Sequence, residues 1–280
     1  MFGAFFTGQA QENKPEPKTR KVFFGASYTF NETTMKMCYM HEQYDWNSKP
    51  SEPRELDQEE LDDLNSRESF TRQFQGLTIE AGMLILGKPD SPWHIDGSLM
   101  VGLASSRYRI WNNQIDTLAM EIKSGFTLPV LGIHFNIAYM FTPNWGIIAM
   151  PHAAYSLGWY ENIDDNTYGH IENFEETRNC YYNYLYGRIN LLATYTMKKV
   201  TVGLGPGFYV LYNTNDYTID RKNPATGDTY TTEVNTRLIS KSFLDGNLSI
   251  EWRIIPALSV SALAAIGNDI TARGSVRYHF

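Results

Sequence analysis

Acids, bases and imidazoles recur on one parity of strand-like runs in this chain: Glu80, His94, Asp96, His134, His152, Arg188, Asp245, Glu251, Arg253, Arg273, Arg277 and His279. Side chains of both signs on one enclosed face have two uses. They can neutralise each other, since an unpaired buried charge is costly. They can also line a restricted polar path or hold a ligand, with Arg188, Arg273 and Arg277 set against Asp245 and Glu251. Enzyme signatures are missing. There is no Gly-x-Ser-x-Gly elbow and no His-Glu-x-x-His pair. Gly203-Leu204-Gly205-Pro206-Gly207 lacks the Lys-Ser/Thr of a phosphate loop and lies within a strand pattern, where it reads as thin interior-facing residues. Cys38 and Cys180 allow one disulfide at most and no Cys-rich metal site. No cofactor and no metal are expected.

The elements that must position these groups read as strands. Val202, Leu204, Pro206, Phe208, Val210 and Tyr212 share one face of their run, opposite Thr201, Gly203, Gly205, Gly207, Tyr209 and Asn213, with Leu211 out of pattern. Leu185, Ile189, Leu191, Ala193 and Tyr195 oppose Tyr184, Tyr186, Arg188, Asn190 and Thr194. Leu244, Leu248, Ile250 and Trp252 oppose Asp245, Asn247, Ser249, Glu251 and Arg253. Ile270, Ala272, Val276, Tyr278 and Phe280 oppose Thr271, Arg273, Ser275, Arg277 and His279. Period two with unlike faces is the mark of a strand between two environments. The polar faces mix Gly, Ser, Thr and Tyr with isolated charges, which suits a narrow wet interior better than a solvated sandwich surface.

Strands are predicted at roughly 21–45, 70–87, 93–110, 120–141, 145–160, 182–197, 200–216, 236–254, 257–266 and 270–280, with the first irregular toward its end and Pro129 marking a bend or break in the fourth. Links alternate in length. Those after even strands are short, such as Thr142-Pro143-Asn144, Lys198-Lys199 and Ile255-Pro256. Those after odd strands are longer, except Gly267-Asn268-Asp269. Tight turns at one end and long loops at the other are a barrel feature. The expected fold is all-β: a transmembrane antiparallel up-and-down β-barrel of about ten strands, within a range of eight to twelve. The chain has no apolar run near the ~20 residues that a spanning helix needs, and strands need only ~9–11. Its net charge of −7 argues against nucleic acid as a partner.

Two segments stand apart from the strands. Residues 1–20 read as the tail of an export signal, with Gly8-Gln9-Ala10 at a cleavage-like position, followed by a polar periplasmic leader; residues 21–280 read as the barrel. The links Ser51–Ser69 and 161–180 are acidic. The first holds eight carboxylates against two arginines, with a weakly helical stripe of Leu56, Leu61 and Leu64. Solvated loops are one reading; divalent cations or a basic partner at the surface is the other.

The alternating strands, the closing strand Val276-Arg277-Tyr278-His279-Phe280 and the run FTPNWGIIAMPHAAYSLGW resemble the small outer-membrane β-barrel, porin-like proteins of Gram-negative bacteria. The resemblance implies a bacterial outer-membrane location and contact with outer-membrane lipid and lipopolysaccharide. It also implies assembly by the barrel-assembly machinery, with Val276, Tyr278 and Phe280 as the recognition signal. The charges above become lumen-lining candidates: Glu80, Arg188, Asp245, Glu251, Arg253, Arg273 and Arg277. The expected role is porin-like or structural, with passive passage of small solutes through a narrow polar lumen. The alternative is a surface adhesin or assembly subunit that meets a surface or envelope protein partner through its acidic loops. A third, weaker alternative is an omptin-like barrel protease. Those enzymes use an Asp pair and an Asp–His pair at the outer rim; here His94-Ile95-Asp96 lies at the wrong end, and His170-Ile171-Glu172 lacks a matching Asp dyad. The expectation is that the chain is not an enzyme. Cys38 and Cys180 fall on non-neighbouring strands and are expected to stay separate thiols.

Overall fold

The computed structural model describes residues 22–47, 49–87, 91–123, 127–161, 175–267 and 270–280. The export-signal and leader segment and the His170 motif lie outside them. Among the described residues, fourteen strands form a single antiparallel sheet, capped by one helix. In chain order they are β1 (Val22–Trp46), β2 (Lys49–Pro50), β3 (Arg54–Glu55), α1 (Gln58–Arg67), β4 (Glu68–Leu86), β5 (Trp93–Asn112), β6 (Thr117–Lys123) and β7 (Leu128–Met140). The remainder are β8 (Trp145–Glu161), β9 (Glu175–Met197), β10 (Val200–Lys222), β11 (Thr229–Ser240), β12 (Leu244–Ile255), β13 (Leu258–Gly267) and β14 (Ile270–His279).

Ten of these close into a ring, in the order β1-β4-β5-β7-β8-β9-β10-β12-β13-β14 and back to β1. Closure leaves no free edge, the condition for strands in a membrane. The short turns gather at one end and the long connections at the other, so the long-loop end is the outer mouth.

Three departures from the predicted strands have physical causes. The predicted strand 236–254 is two, β11 and β12, parted at Lys241-Ser242-Phe243; both lie along the same edge of β10. The predicted strand 120–141 is likewise β6 and β7, and the break precedes Pro129. Strands β9, β10 and β11 also run further outward than the alternation suggested, and only residues 223–228 remain as the turn between β10 and β11.

The break at 241–243 sets the shape of one side. Strands β13 and β14 are only ten residues each. Above them β11 pairs directly with β1, from Met35↔Ser240 to Trp46↔Tyr230, while β14 pairs with β1 below, from Phe23↔His279 to Glu32↔Ile270. The wall there is two strands narrower toward the mouth. Strands β13 and β14 pair as a low hairpin, and the link between them in sequence is the short one that is anomalous for its end of the barrel.

Exposure is inverted relative to a soluble protein. Leu99, Leu204, Ile79 and Leu131 are 61–69% exposed on the outer wall, while Glu80, Asp96, His134 and Asn247 are at most 3% exposed inside. Apolar side chains turned outward all round a closed ring are unusable in water and fit hydrocarbon. At the short-turn end, aromatic pairs ring the wall: Trp93 with Tyr139, Trp145 with Tyr195, and Tyr278 with Phe280. Such amphipathic rings settle at the membrane–water boundary.

The interior has two storeys. Toward the short turns it is polar. Toward the mouth it is a packed cluster that includes Met35, Phe70, Phe74, Tyr108, Tyr184 and Leu211. The narrow polar lumen expected from the sequence is found in the lower storey, and the upper storey is filled instead by this cluster. Leu211, out of pattern in the sequence, points inward and is fully buried in this cluster.

Helix α1 rests on the cluster. Asp57 caps it, accepting from the Glu60 N–H at 2.9 Å, and Glu60 reaches back to the Asp57 N–H at 3.0 Å, a reciprocal capping box. The anticipated stripe is real: Leu61 is buried in the cluster, and Leu56 and Leu64 pack against it. Replacing Asp57 by alanine should cost the helix about 1 kcal/mol. The expected readout is faster protease nicking within residues 49–67 with the barrel core still resistant; an unchanged rate would refute the capping role.

Candidate functional site

The strand parity that turns leucine outward turns the charges inward, and register brings them level. Arg188 on β9 is the hub. Its Nη2 donates to both Asp245 carboxylate oxygens on β12 at 2.6 and 2.7 Å, and to Asn247 Oδ1 at 2.6 Å. Its Nε donates to Asn190 Oδ1 at 2.6 Å, and its Nη1 donates to the Tyr186 hydroxyl at 3.1 Å and to Thr271 Oγ1 on β14 at 3.2 Å. Both partners of the ion pair are almost completely shielded from solvent. An arginine fork saturated in this way is held rigid.

Gly207 makes room for that hub. A Cβ there would fall onto Asn247 Nδ2 and Asp245 Oδ1. The glycine-rich run 203–207 thus serves close approach inside the wall, as the thin-residue reading expected.

Glu80 on β4 is the second hub. Arg277 on β14 donates Nε to its Oε1 at 2.7 Å and Nη2 to its Oε2 at 3.2 Å; Ser98 donates at 3.3 Å; Arg273 Nη2 stands 3.7 Å away. Arg273 also reaches the Nδ1 atoms of His134 and His152 at 3.4 and 3.5 Å. Asp96 accepts from Asn136 at 2.9 Å, and Asn136 meets His134 Nε2 at 3.1 Å. Glu251 and Arg253 face the same lower lumen.

These contacts cross the bore. Strands β8 and β14 stand five places apart in the ring of ten, directly opposite, and Arg273 and His152 span them. Strands β9 and β14 are four apart and joined by Arg188 and Thr271. Higher up, β4 and β9 are also four apart. Phe74 and Tyr184 stack across them with centroids 4.7 Å apart and planes 3° apart, and Arg72 lies 4.4 Å over the Tyr182 ring. Between the bridges the lower lumen keeps a cavity of about 80 Å³ against His134, His152, Arg188, Glu251 and Arg273.

The lumen candidates Glu80, Arg188, Asp245, Glu251, Arg253, Arg273 and Arg277 all point inward. Two separate hubs hold five of them: Arg188 with Asp245, and Glu80 with Arg273 and Arg277. Val276, Tyr278 and Phe280 point outward, with Phe280 packed edge-on to Phe24 and Tyr278. His94 sits 3.8 Å from Asp96 deep inside, at the short-turn end. Cys38 and Cys180 are both free thiols, one exposed and one buried. Among the described residues no cluster of metal-ligating side chains occurs.

Sequence reasoning passed over Arg72, Phe74 and Tyr182, which bridge the upper storey; it put Asn190 and Asn247 on the polar faces without giving them their part in saturating Arg188. Phe70, Arg72 and Phe74 share the inward parity of β4, so two aromatics flanking an arginine on a lumen face was the available signal.

No family profile and no curated protein matches the chain. Among solved structures it is similar to the transport unit of the autotransporter AIDA-I from Escherichia coli, at 11% identity over 99% of this chain and 95% of that one, TM-score 0.39. It is similar to the outer membrane protease OmpT from Escherichia coli, at 11% identity over 91% and 97%, TM-score 0.40. It is also similar to the outer membrane protein OprG from Pseudomonas aeruginosa, at 9% identity over 93% and 98%, TM-score 0.36. The hydrogen-bonded ring, the outward apolar wall and the aromatic girdle carry the assignment by themselves. The chain is a transmembrane antiparallel β-barrel of the bacterial outer-membrane kind, closed by ten strands.

Proposed function

We propose that this barrel is sealed and serves the outer membrane structurally and through its outer mouth, with no diffusive passage of solutes along its axis. The observation that carries this reading is the stack of Phe74 on Tyr184 between nearly opposite strands, above a lower lumen tied across by Arg188 and Arg273. A bore of ten strands is little wider than its side chains, and here they meet in the middle. The long extensions of β1, β9, β10 and β11 and the α1 cap put the surface that differs from a plain barrel at the mouth. On this reading the protein has no catalytic step. Its partners are outer-leaflet lipid and lipopolysaccharide along the wall, a surface or envelope component at the mouth, and the barrel-assembly machinery at the exposed Val276, Tyr278 and Phe280.

Planar-bilayer recording tests the seal. The purified barrel is expected to give no discrete conductance steps, whereas alanine at Arg72, Phe74 and Tyr184 combined with alanine at the lower bridges Arg188 and Arg273 should make liposomes permeable to small sugars. Steady conductance by the unaltered barrel, sensitive to neutralising Arg188 or Arg277, would restore the pore reading in its place.

A further inference from the structure

The mouth holds a cup that the sealed-barrel reading does not use. It is a cavity of about 290 Å³ between the outer ends of β1, β4, β5, β10 and β11, roofed on one side by Leu64 of α1. Its wall is mostly apolar and aromatic, with Met40, Phe70, Tyr108 and Tyr217 prominent. Beneath it Arg72 lies over the Tyr182 ring and does not line it.

Two carboxylates stand in that wall: Glu42 toward the rim, and Glu68 at the junction where α1 becomes β4. Glu68 is the C-cap residue of α1, and its N–H donates to the Leu64 carbonyl, so its backbone is pinned. It shares the inward parity of Phe70 and Arg72 and is half-buried. No cation lies within ion-pair distance of it among the described residues; the adjacent Arg67 turns back to Asp63 at 2.7 Å. Toward the rim Glu42 accepts from the Tyr44 hydroxyl at 3.0 Å, and Arg221 also lines the cup.

A half-buried carboxylate in an aromatic-lined cup is an environment that favours an organic cation, through charge and through the ring quadrupoles. A metal ion would find too few oxygen ligands there, and a neutral hydrocarbon would leave Glu68 uncompensated. We propose that the cup binds a small apolar organic cation, its ammonium head at Glu68 and its body against Phe70, Tyr108 and Tyr217. The site does not depend on the seal, because a conducting barrel would keep the same cup.

The test uses the full chain in a neutral detergent with three probes that share a benzene ring: benzyltrimethylammonium, benzyl alcohol and benzenesulfonate. Binding is followed by calorimetry and by saturation-transfer NMR. The cation should bind saturably and about tenfold more tightly than either other probe. Glu68→Gln should cost about tenfold for the cation and little for the alcohol, and Glu52→Gln on the loop should change nothing. Ile110→Trp fills the cup without touching its charge and should abolish binding; it decides the matter if the Glu68 variant fails to fold. Equal binding of the sulfonate, no saturable binding of the cation, or indifference to both Glu68→Gln and Ile110→Trp would overturn the proposal.

Discussion

Replacing Glu80 by alanine is expected to lower the unfolding free energy of the barrel by about 3–5 kcal/mol, the usual cost of removing one partner of a buried ion pair. The carboxylate is fully shielded, Arg277 grips both its oxygens, and among the described residues it is the acid in ion-pair distance of Arg273. Alanine would take away the one acid in direct contact with both guanidinium groups and leave only the more distant Asp96 and Glu251 to balance Arg277. Glu80→Gln keeps an acceptor for Arg277 and should lose less. The measurement is urea unfolding in detergent, read by the shift between folded and unfolded gel migration. A change below about 1 kcal/mol would mean that water already solvates the lower lumen as it does a surface pair, and the sealed reading would fall with it.

The second large effect is on the opposite face. Leu99→Arg should cost about 2–4 kcal/mol, as for arginine near the midplane on a lipid-facing wall. Leu99 is 69% exposed, so in a soluble protein the same change would be nearly silent. Glu32→Arg, also outward on β1 but above the apolar band, should cost only about 0–1 kcal/mol. If both substitutions were equally mild, the outward leucines would not be facing hydrocarbon. Folding yield into lipid vesicles of graded thickness gives a second readout, since only the Leu99 variant should respond to bilayer thickness.

Much of the fold was legible because period-two alternation reports directly which environment each face meets. It placed Glu80, Arg188, Asp245 and Arg277 inside and Leu204, Leu248 and Val276 outside, position by position. It could not foresee who pairs with whom across the bore. Arg188 meets Asp245 two strands away in the ring but 57 residues away in sequence, and only register decides that contact. The upper storey escaped for a related reason. Tyr182, Tyr184 and Tyr186 look polar enough for a wet lumen, yet with Phe74, Met35 and Leu211 around them they form a dry plug. Leu211 and the short Gly267–Asp269 link were the visible irregularities, and both marked real features: the plug, and the place where the wall narrows. The acidic Ser51–Ser69 segment read mainly as solvated, although its leucine spacing already described the face that α1 lays on the plug.

The double pairing of β1 has a consequence for how the molecule forms. Its lower half is completed by β14 and its upper half by β11, so one strand zips two seams that lie far from it along the chain; Asn31 and Thr271, bonded side chain to side chain across the lower seam, are 240 positions apart. Hairpins such as β9–β10 and β13–β14 need only local closure and can form early, while the β1 seams carry the largest loop entropy and come last. Until then β1 and β14 present unpaired edges, the most aggregation-prone state the chain passes through. The rate-limiting event in folding should therefore be sealing along β1, and slowing it by weakening Phe23–His279 or Met35–Ser240 pairing should lengthen the lifetime of the open sheet while leaving the hairpins intact.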